Sequence, residues 1–131
     1  MRLFRALWTS FKCGDSIKEI RVINQHHIDA FSTLTCDSNK IHKGNQKSFV
    51  NGAFLNSIVA GIMGTKLPGD GTIVISQNFS FPSKCYVDIP IEFTVELVEV
   101  RKIIKARYQC VQNDIVVFEG DAKLIMNKGT K

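Results

Sequence analysis

GAFLNSIVAGIMGT, residues 52–65, carries no charged side chain in a chain whose charges are otherwise spread along its length. Ala53, Phe54, Leu55, Ile58, Val59, Ala60, Ile62 and Met63 put apolar groups nearly all round a helix. A surface helix would show one apolar stripe and one charged face. Crossing a bilayer takes about 20 apolar residues, so this stretch is too short for that. The pattern predicts a helix wrapped on most sides by the rest of one domain, with its N-terminal end as the working end. Asn51, just ahead of it, is suited to cap that end.

The segments on either side read as the wrapping. Downstream, Leu67-Pro-Gly-Asp-Gly71 is a tight turn, and the chain then reads as strand almost to its end. Thr72 to Phe81 is a strand interrupted near Ser76-Gln77-Asn78, and Pro82-Ser83-Lys84 turns. After Pro90, Phe93, Val95 and Leu97 alternate with Glu92, Thr94 and Glu96, as in a sheet wet on one face. Ile104, Ala106, Tyr108 and Cys110 repeat the alternation, Asn113-Asp114 is a hairpin turn, and Val116 to Met126 returns. Upstream, Ile17 to Ile23 is a strand, and His26 or His27 to Leu34 is a short helix with Ile28, Ala30, Phe31 and Leu34 on its apolar face. One uncharged helix followed by a meander of long strands predicts an α+β fold, a curved antiparallel sheet around a central helix.

Composition excludes several classes. At 131 residues the chain is one domain with one core. The formal net charge of +5 is concentrated at the start, where Arg2, Arg5 and Lys12 precede the first acid, Asp15. The remainder is close to balance and does not suggest nucleic-acid binding. Cys13, Cys36, Cys85 and Cys110 are far apart, with no CxxC pair and no histidine at ligand spacing. Reduced thiols are expected, with neither a disulfide framework nor a zinc site. Met1 to Lys12 sets Leu3, Phe4, Leu7, Trp8 and Phe11 on one helical face and Arg2, Arg5, Thr9 and Lys12 on the other. That is the pattern of a mitochondrial presequence; a native helix packed on the fold, or a membrane-surface anchor, fits the same residues. Residues 1–12 are accordingly expected to be a targeting segment, 13–127 the domain and 128–131 a frayed tail.

Chemistry is concentrated in FSTLTCDSNKIH, residues 31–42. A carboxylate and an imidazole five positions apart in an irregular segment, Asp37 and His42, can converge on one water. Such a pair is typically worth about 10² to 10⁴ in rate. The same residues also read as Asp37 and Asn39 forming turns and His42 as a loop or core histidine, and the spacing alone favours that. The first turn of the central helix is the second element. Gly52 admits a ligand close to the backbone, and the unpaired N–H groups there would stabilise negative charge on a carbonyl oxygen. Close helix–strand packing would also call for a glycine.

Three motifs in order, F-S-x-L-T-x-D-x-N-x-I-H, V-N-G-A-F-L-x-S and G-x-x-L-P-G-x-G-T-I-x-x-S-Q-x-F, resemble the MaoC-like, (R)-specific enoyl hydratases of the hot-dog fold. Within that family they are most similar to the mitochondrial type 2 3-hydroxyacyl-thioester dehydratases. The likeness runs from about Asp15 to Met126. It implies that Asp37 and His42 activate water for addition to C3 of a trans-2-enoyl thioester, or its removal in reverse. Asn39 would shape the loop, the Gly52 N–H would bind the thioester carbonyl, and Ser57 would occupy a small polar position near the site. A serine bonded to the preceding helical turn is the other reading of Ser57.

The resemblance further implies catalysis without cofactor or metal, and a homodimer joined through an edge strand. Acyl carrier protein is the implied carrier, with coenzyme A thioesters as surrogates and fatty acid synthesis in the mitochondrial matrix as the setting. Lys40, Lys43 and Lys47 would suit an acidic carrier at the rim, or be a solvated loop. The sequence departs from the family where Lys40 replaces Pro, where Asn51 replaces His, and in a shortened loop over residues 43–51. A hot-dog thioesterase and a non-catalytic acyl-binding protein are the two alternatives.

Overall fold

A computed structural model of the chain describes residues 11–37 and 48–127. Most of the expected targeting segment, the loop with Asn39, Lys40, His42, Lys43 and Lys47, and the expected tail lie outside the described residues. The elements run β1 (Ser16–Arg21), α1 (Gln25–Thr35), α2 (Gly52–Thr65), β2 (Thr72–Ser80), β3 (Ile91–Val100), β4 (Ile104–Gln112) and β5 (Ile115–Met126). All strands join one antiparallel sheet in the order β1-β3-β4-β5-β2, so β1 and β2 form its edges.

The period-2 pattern decides which face is dry. Ile91, Phe93, Val95 and Leu97 of β3, with Ile104, Ala106, Tyr108 and Cys110 of β4, are buried in one core with Leu55, Val59, Ile62 and Met63 of α2. Each large side chain fully buried this way contributes about 1.5–3 kcal/mol. Asn113 and Asp114 both adopt positive φ, 53° and 62°, which a two-residue hairpin with the native strand twist requires. In β2 the expected interruption at Ser76-Gln77-Asn78 is instead a register shift between Val74 and Ser76, and the strand runs on through the polar triplet. Gln77 is tolerated there because its amide is satisfied. It donates to Tyr108 Oη at 2.7 Å and to Asn56 Oδ1 at 3.0 Å, and Asn56 Nδ2 donates back at 3.3 Å.

The central helix has the predicted bounds but not the predicted envelope. Leu55, Val59, Ile62 and Met63 are buried, while Ala53, Ser57, Ala60 and Gly61 are exposed in the single chain. The exposed residues are all small, so that side carries little apolar area despite its lack of charge. In α1 only Ile28 and Ser32 are buried, and Leu34 and Ala30, expected on the inner face, point outward. Lys66, at the C-terminal end of α2, ties the helix to β1 by pairing with Glu19, which also accepts from Arg21 Nη2 at 2.9 Å. First Lys66 and then Arg21 hold the Glu19 carboxyl below its ordinary range. All four cysteines are free; Cys13 and Cys36 are exposed, Cys85 and Cys110 buried. Among the described residues no helix is long and apolar enough to cross a membrane.

Candidate active site

Helix α1 starts on a capping box, in which Asn24 Oδ1 accepts from the His27 amide at 2.9 Å and the Asn24 amide donates to His27 Nδ1 at 3.1 Å. It ends at Cys36 in the left-handed conformation, φ 62°. That reversal turns the chain so that Asp37 follows directly, its amide donating to Thr35 Oγ1 at 3.3 Å. Phe31 of α1 stacks on Phe54 of α2, with ring centroids 4.8 Å apart. The end of α1 is thereby held beside the beginning of α2.

The consequence is the contact that matters most here. Asn51 Nδ2 donates to Asp37 Oδ2 at 3.0 Å, bridging fourteen positions of chain. Asn51 is the N-cap residue the sequence predicts, and its carbonyl accepts from the Phe54 and Leu55 amides at 3.0 and 3.2 Å. Its side chain, however, makes no capping bond. The asparagine forgoes a contact worth about 0.5–2 kcal/mol and is turned to the carboxylate instead. The Gly52 and Ala53 amides precede the helix's own hydrogen-bond ladder, at the positive end of its dipole.

Gly52, Ala53 and Leu55 line a cleft of about 440 Å³ with Phe49, Val50, Phe81, Lys84, Cys85 and Val117 among its other walls. Phe81 is the residue that explains the glycine. A Cβ at position 52 would lie 2.5 Å from Phe81 Cε1, so the ring sits directly against the helix start. Phe81 in turn stacks on Phe118, centroids 5.1 Å apart, and meets Phe79 edge-on at 5.6 Å. The packing requirement for Gly52 is therefore met in the structure, and it coexists with an amide at the cleft.

Phe49, Val50 and Cys85, also at the cleft, belong to a short antiparallel bridge. Val50 N donates to Cys85 O at 2.7 Å and Val87 N to Ser48 O at 3.2 Å, with Phe49 opposite Tyr86. Gln112, at the end of β4, pins this wall: its Oε1 accepts from Tyr86 N at 2.8 Å, and its Nε2 donates to Tyr86 O at 2.9 Å and Ile89 O at 3.0 Å. Lys84 Nζ lies 4.7 Å from the centre of the Phe49 ring, a cation–π contact at the cleft. Burial pushes the Cys85 thiol up to about 12, so it lines the cleft as an apolar group rather than a nucleophile.

The structure thus brings Asp37, Asn51 and Gly52 together. Ser57 is one helical turn beyond Ala53 on the exposed side of α2, its hydroxyl donating to Ala53 O at 2.9 Å. Asn39 and His42 lie outside the described residues. Phe81, Lys84 and Gln112 were not anticipated as parts of the site. Phe81 read only as a strand former and Lys84 only as a turn residue, and a glutamine ending a strand carries no sign that it will be buried. Among the described residues no cluster of three or more His, Cys, Asp or Glu side chains can hold a metal ion.

A curved five-stranded antiparallel sheet around one helix is the hot-dog fold. The (R)-hydratase from Aeromonas caviae involved in PHA biosynthesis superposes with a TM-score of 0.83 at 22% identity, over 90% of this chain and 98% of that one. The chain is also 27% identical over 133 residues to the mitochondrial 3-hydroxyacyl-[acyl-carrier-protein] dehydratase of Arabidopsis thaliana, covering 90% of this chain and 79% of that protein. It is 25% identical over 126 residues to the (R)-specific enoyl-CoA hydratase of Rhodospirillum rubrum, covering 88% of each. No family model matches. Homologues and structural neighbours of the chain are MaoC-like (R)-specific enoyl hydratases and 3-hydroxyacyl-ACP dehydratases.

Proposed function

We propose that the chain is a hydro-lyase that interconverts (R)-3-hydroxyacyl and trans-2-enoyl thioesters. The observation that carries the proposal is the bond from Asn51 to Asp37, which sets a carboxylate beside the N-terminus of α2, the helix whose Gly52, Ala53 and Leu55 line an apolar cleft. The homologues' names, dehydratase and enoyl hydratase, support the same reaction class. Asp37 takes a proton from water as the oxygen adds to C3, His42 completes the acid–base pair, and Asn39 shapes the loop between them. The Gly52 amide donates to the thioester oxygen as negative charge develops, a contact worth about 2.7–4 kcal/mol in comparable oxyanion holes.

Acyl carrier protein is the proposed carrier, in mitochondrial fatty acid synthesis, with residues 1–12 as the targeting segment. The mitochondrial dehydratase among the homologues supports this setting. Lys84 adds a cation at the cleft for a phosphate-bearing arm, whether from carrier protein or coenzyme A. A homodimer through β2 is supported by that strand's position at the sheet edge and by the exposure of Ile73, Ile75 and Phe79 along it. Sedimentation of the purified chain as a monomer at micromolar concentration would count against the dimer.

The decisive assay follows the enoyl absorbance of a short trans-2-enoyl-CoA with wild type, Asp37→Asn and His42→Ala. Loss of absorbance with wild type, reduced at least 10²-fold in both variants, supports the lyase. Release of free thiol instead identifies a thioesterase, and a folded but inactive wild type leaves only acyl binding.

A further inference from the structure

Among the described residues, three buried side-chain polar atoms have no hydrogen-bond partner: Ser32 Oγ, Ser48 Oγ and Asn51 Oδ1. All three belong to segments that frame the candidate site, namely α1 and the run of residues 48–51 that leads into α2. Asn51 is the most informative of them. The residue is 2% exposed, its side chain declines to cap the helix it begins, and it leaves an acceptor unpaired. Native chains satisfy nearly all buried polar groups, and two local rules broken at one residue mark a functional position.

The amide's orientation follows from chemistry. A carboxylate oxygen only accepts, so the nitrogen of Asn51 must face Asp37. The amide oxygen is then left as a buried acceptor next to the proposed general base. A single oxygen carrying two protons can donate one to Asp37 and the other to Asn51 Oδ1.

We propose that Asn51 Oδ1 accepts a hydrogen bond from the oxygen that is added to, or removed from, C3 of the acyl chain. Asn51 is then a catalytic residue that recognises the 3-hydroxyl group; this role rests on the hydro-lyase reading above. In hydration, the water O–H bond directed at Asp37 breaks as the O–C3 bond forms, and Asp37 takes that proton. The C2=C3 π electrons move toward the thioester oxygen, and a proton delivered to C2 by the acid–base pair restores the carbonyl. The O–H bond directed at Asn51 never breaks. It becomes the hydroxyl of the 3-hydroxyacyl product, so the product is bonded to Asn51 and the enoyl substrate is not.

That asymmetry gives the test. Asn51→Ser, which keeps a hydroxyl able to cap the helix, and Asn51→Ala are assayed in both directions with a short enoyl-CoA and the matching (R)-3-hydroxyacyl-CoA. The expected result is a rise of about tenfold in KM for the 3-hydroxyacyl thioester, while KM for the enoyl thioester stays within about twofold. A residue that merely braced Asp37 would lower kcat in both directions and leave both KM values unmoved, and that outcome overturns the proposal. So does a parallel rise in both. An inactive wild type refutes the hydro-lyase reading and this role with it, whereas an active wild type with unmoved KM values refutes the role of Asn51 alone. Should neither variant fold, wild type decides: inhibition by (R)-3-hydroxyacyl-CoA should be about tenfold tighter than by the saturated acyl-CoA lacking the hydroxyl, and equal inhibition overturns the proposal.

Discussion

Gly52 serves two purposes that a pair of substitutions can separate. In Gly52→Ala the new Cβ would lie 2.5 Å from Phe81 Cε1 and 2.6 Å from Cζ, against about 3.5–4.0 Å for an ordinary carbon contact. The ring must retreat by roughly 1 Å, and at 48% exposure it has solvent to move into. Retreat loosens its contacts with Phe118 and Phe79, each worth about 0.5–1.5 kcal/mol. Alanine returns about 0.4–1 kcal/mol by restricting the unfolded chain. The expected net destabilisation in urea unfolding is therefore small, about 0–2 kcal/mol. Activity should suffer more, because the backbone N–H is kept but the cleft wall moves, and a misplacement of about 1 Å can cost 10²-fold. In the Phe81→Ala background the clashing atoms are gone. There Gly52→Ala should leave enoyl hydration unchanged and stabilise by about 0.4–1 kcal/mol. Equal effects of the alanine in both backgrounds would refute the packing argument.

Gly120→Ala meets harder obstacles, Asn78 O at 2.5 Å and Phe79 Cβ at 2.6 Å, which cannot swing away; it should cost about 2–3 kcal/mol in chemical denaturation, more than Gly52→Ala. A disulfide reagent should modify Cys13 and Cys36 promptly in the folded protein and reach Cys85 and Cys110 only on unfolding, since burial raises both of those thiols; four equally fast thiols would contradict the fold. Glu19→Gln should destabilise by less than about 1 kcal/mol at pH 7, as expected for an exposed ion pair. Because the folded state holds the Glu19 carboxyl low, wild type enjoys that advantage above the unfolded carboxyl's range and loses it as pH falls through the folded one. Melting curves of the two proteins should converge in acid, and a gap that widened there would reverse the sign of the argument.

The alternation in β3 and β4 was legible because each strand is dry on one face and wet on the other, which a period of two records without ambiguity. The same logic overstated the burial of α2, since an absence of charge says nothing about size, and Ala53, Ala60 and Gly61 can meet solvent at little cost. Helix α1 was expected from His26 or His27 to Leu34 and runs from Gln25 to Thr35, its start set by the Asn24 cap that the apolar spacing does not register, and Leu34 faces outward. At the site, Asp37 and Gly52 were chosen from chemistry and from family likeness. The bond that joins their neighbourhoods was hidden, because it depends on a rotamer of Asn51 that declines the nearest partner. Phe81 was invisible as a wall for a related reason: only the folded chain reveals which ring lies over a particular glycine.

Gln112 has a wider consequence. One primary amide holds Tyr86 by both its backbone groups and Ile89 by a third bond, so the far end of a strand braces the cleft wall like a bracket under a shelf. Substrate fit can therefore be tuned by residues that touch no substrate. Changes at Gln112 would reach the proposed substrate cleft through Tyr86 and Ile89, out of sight of any inspection confined to the lining.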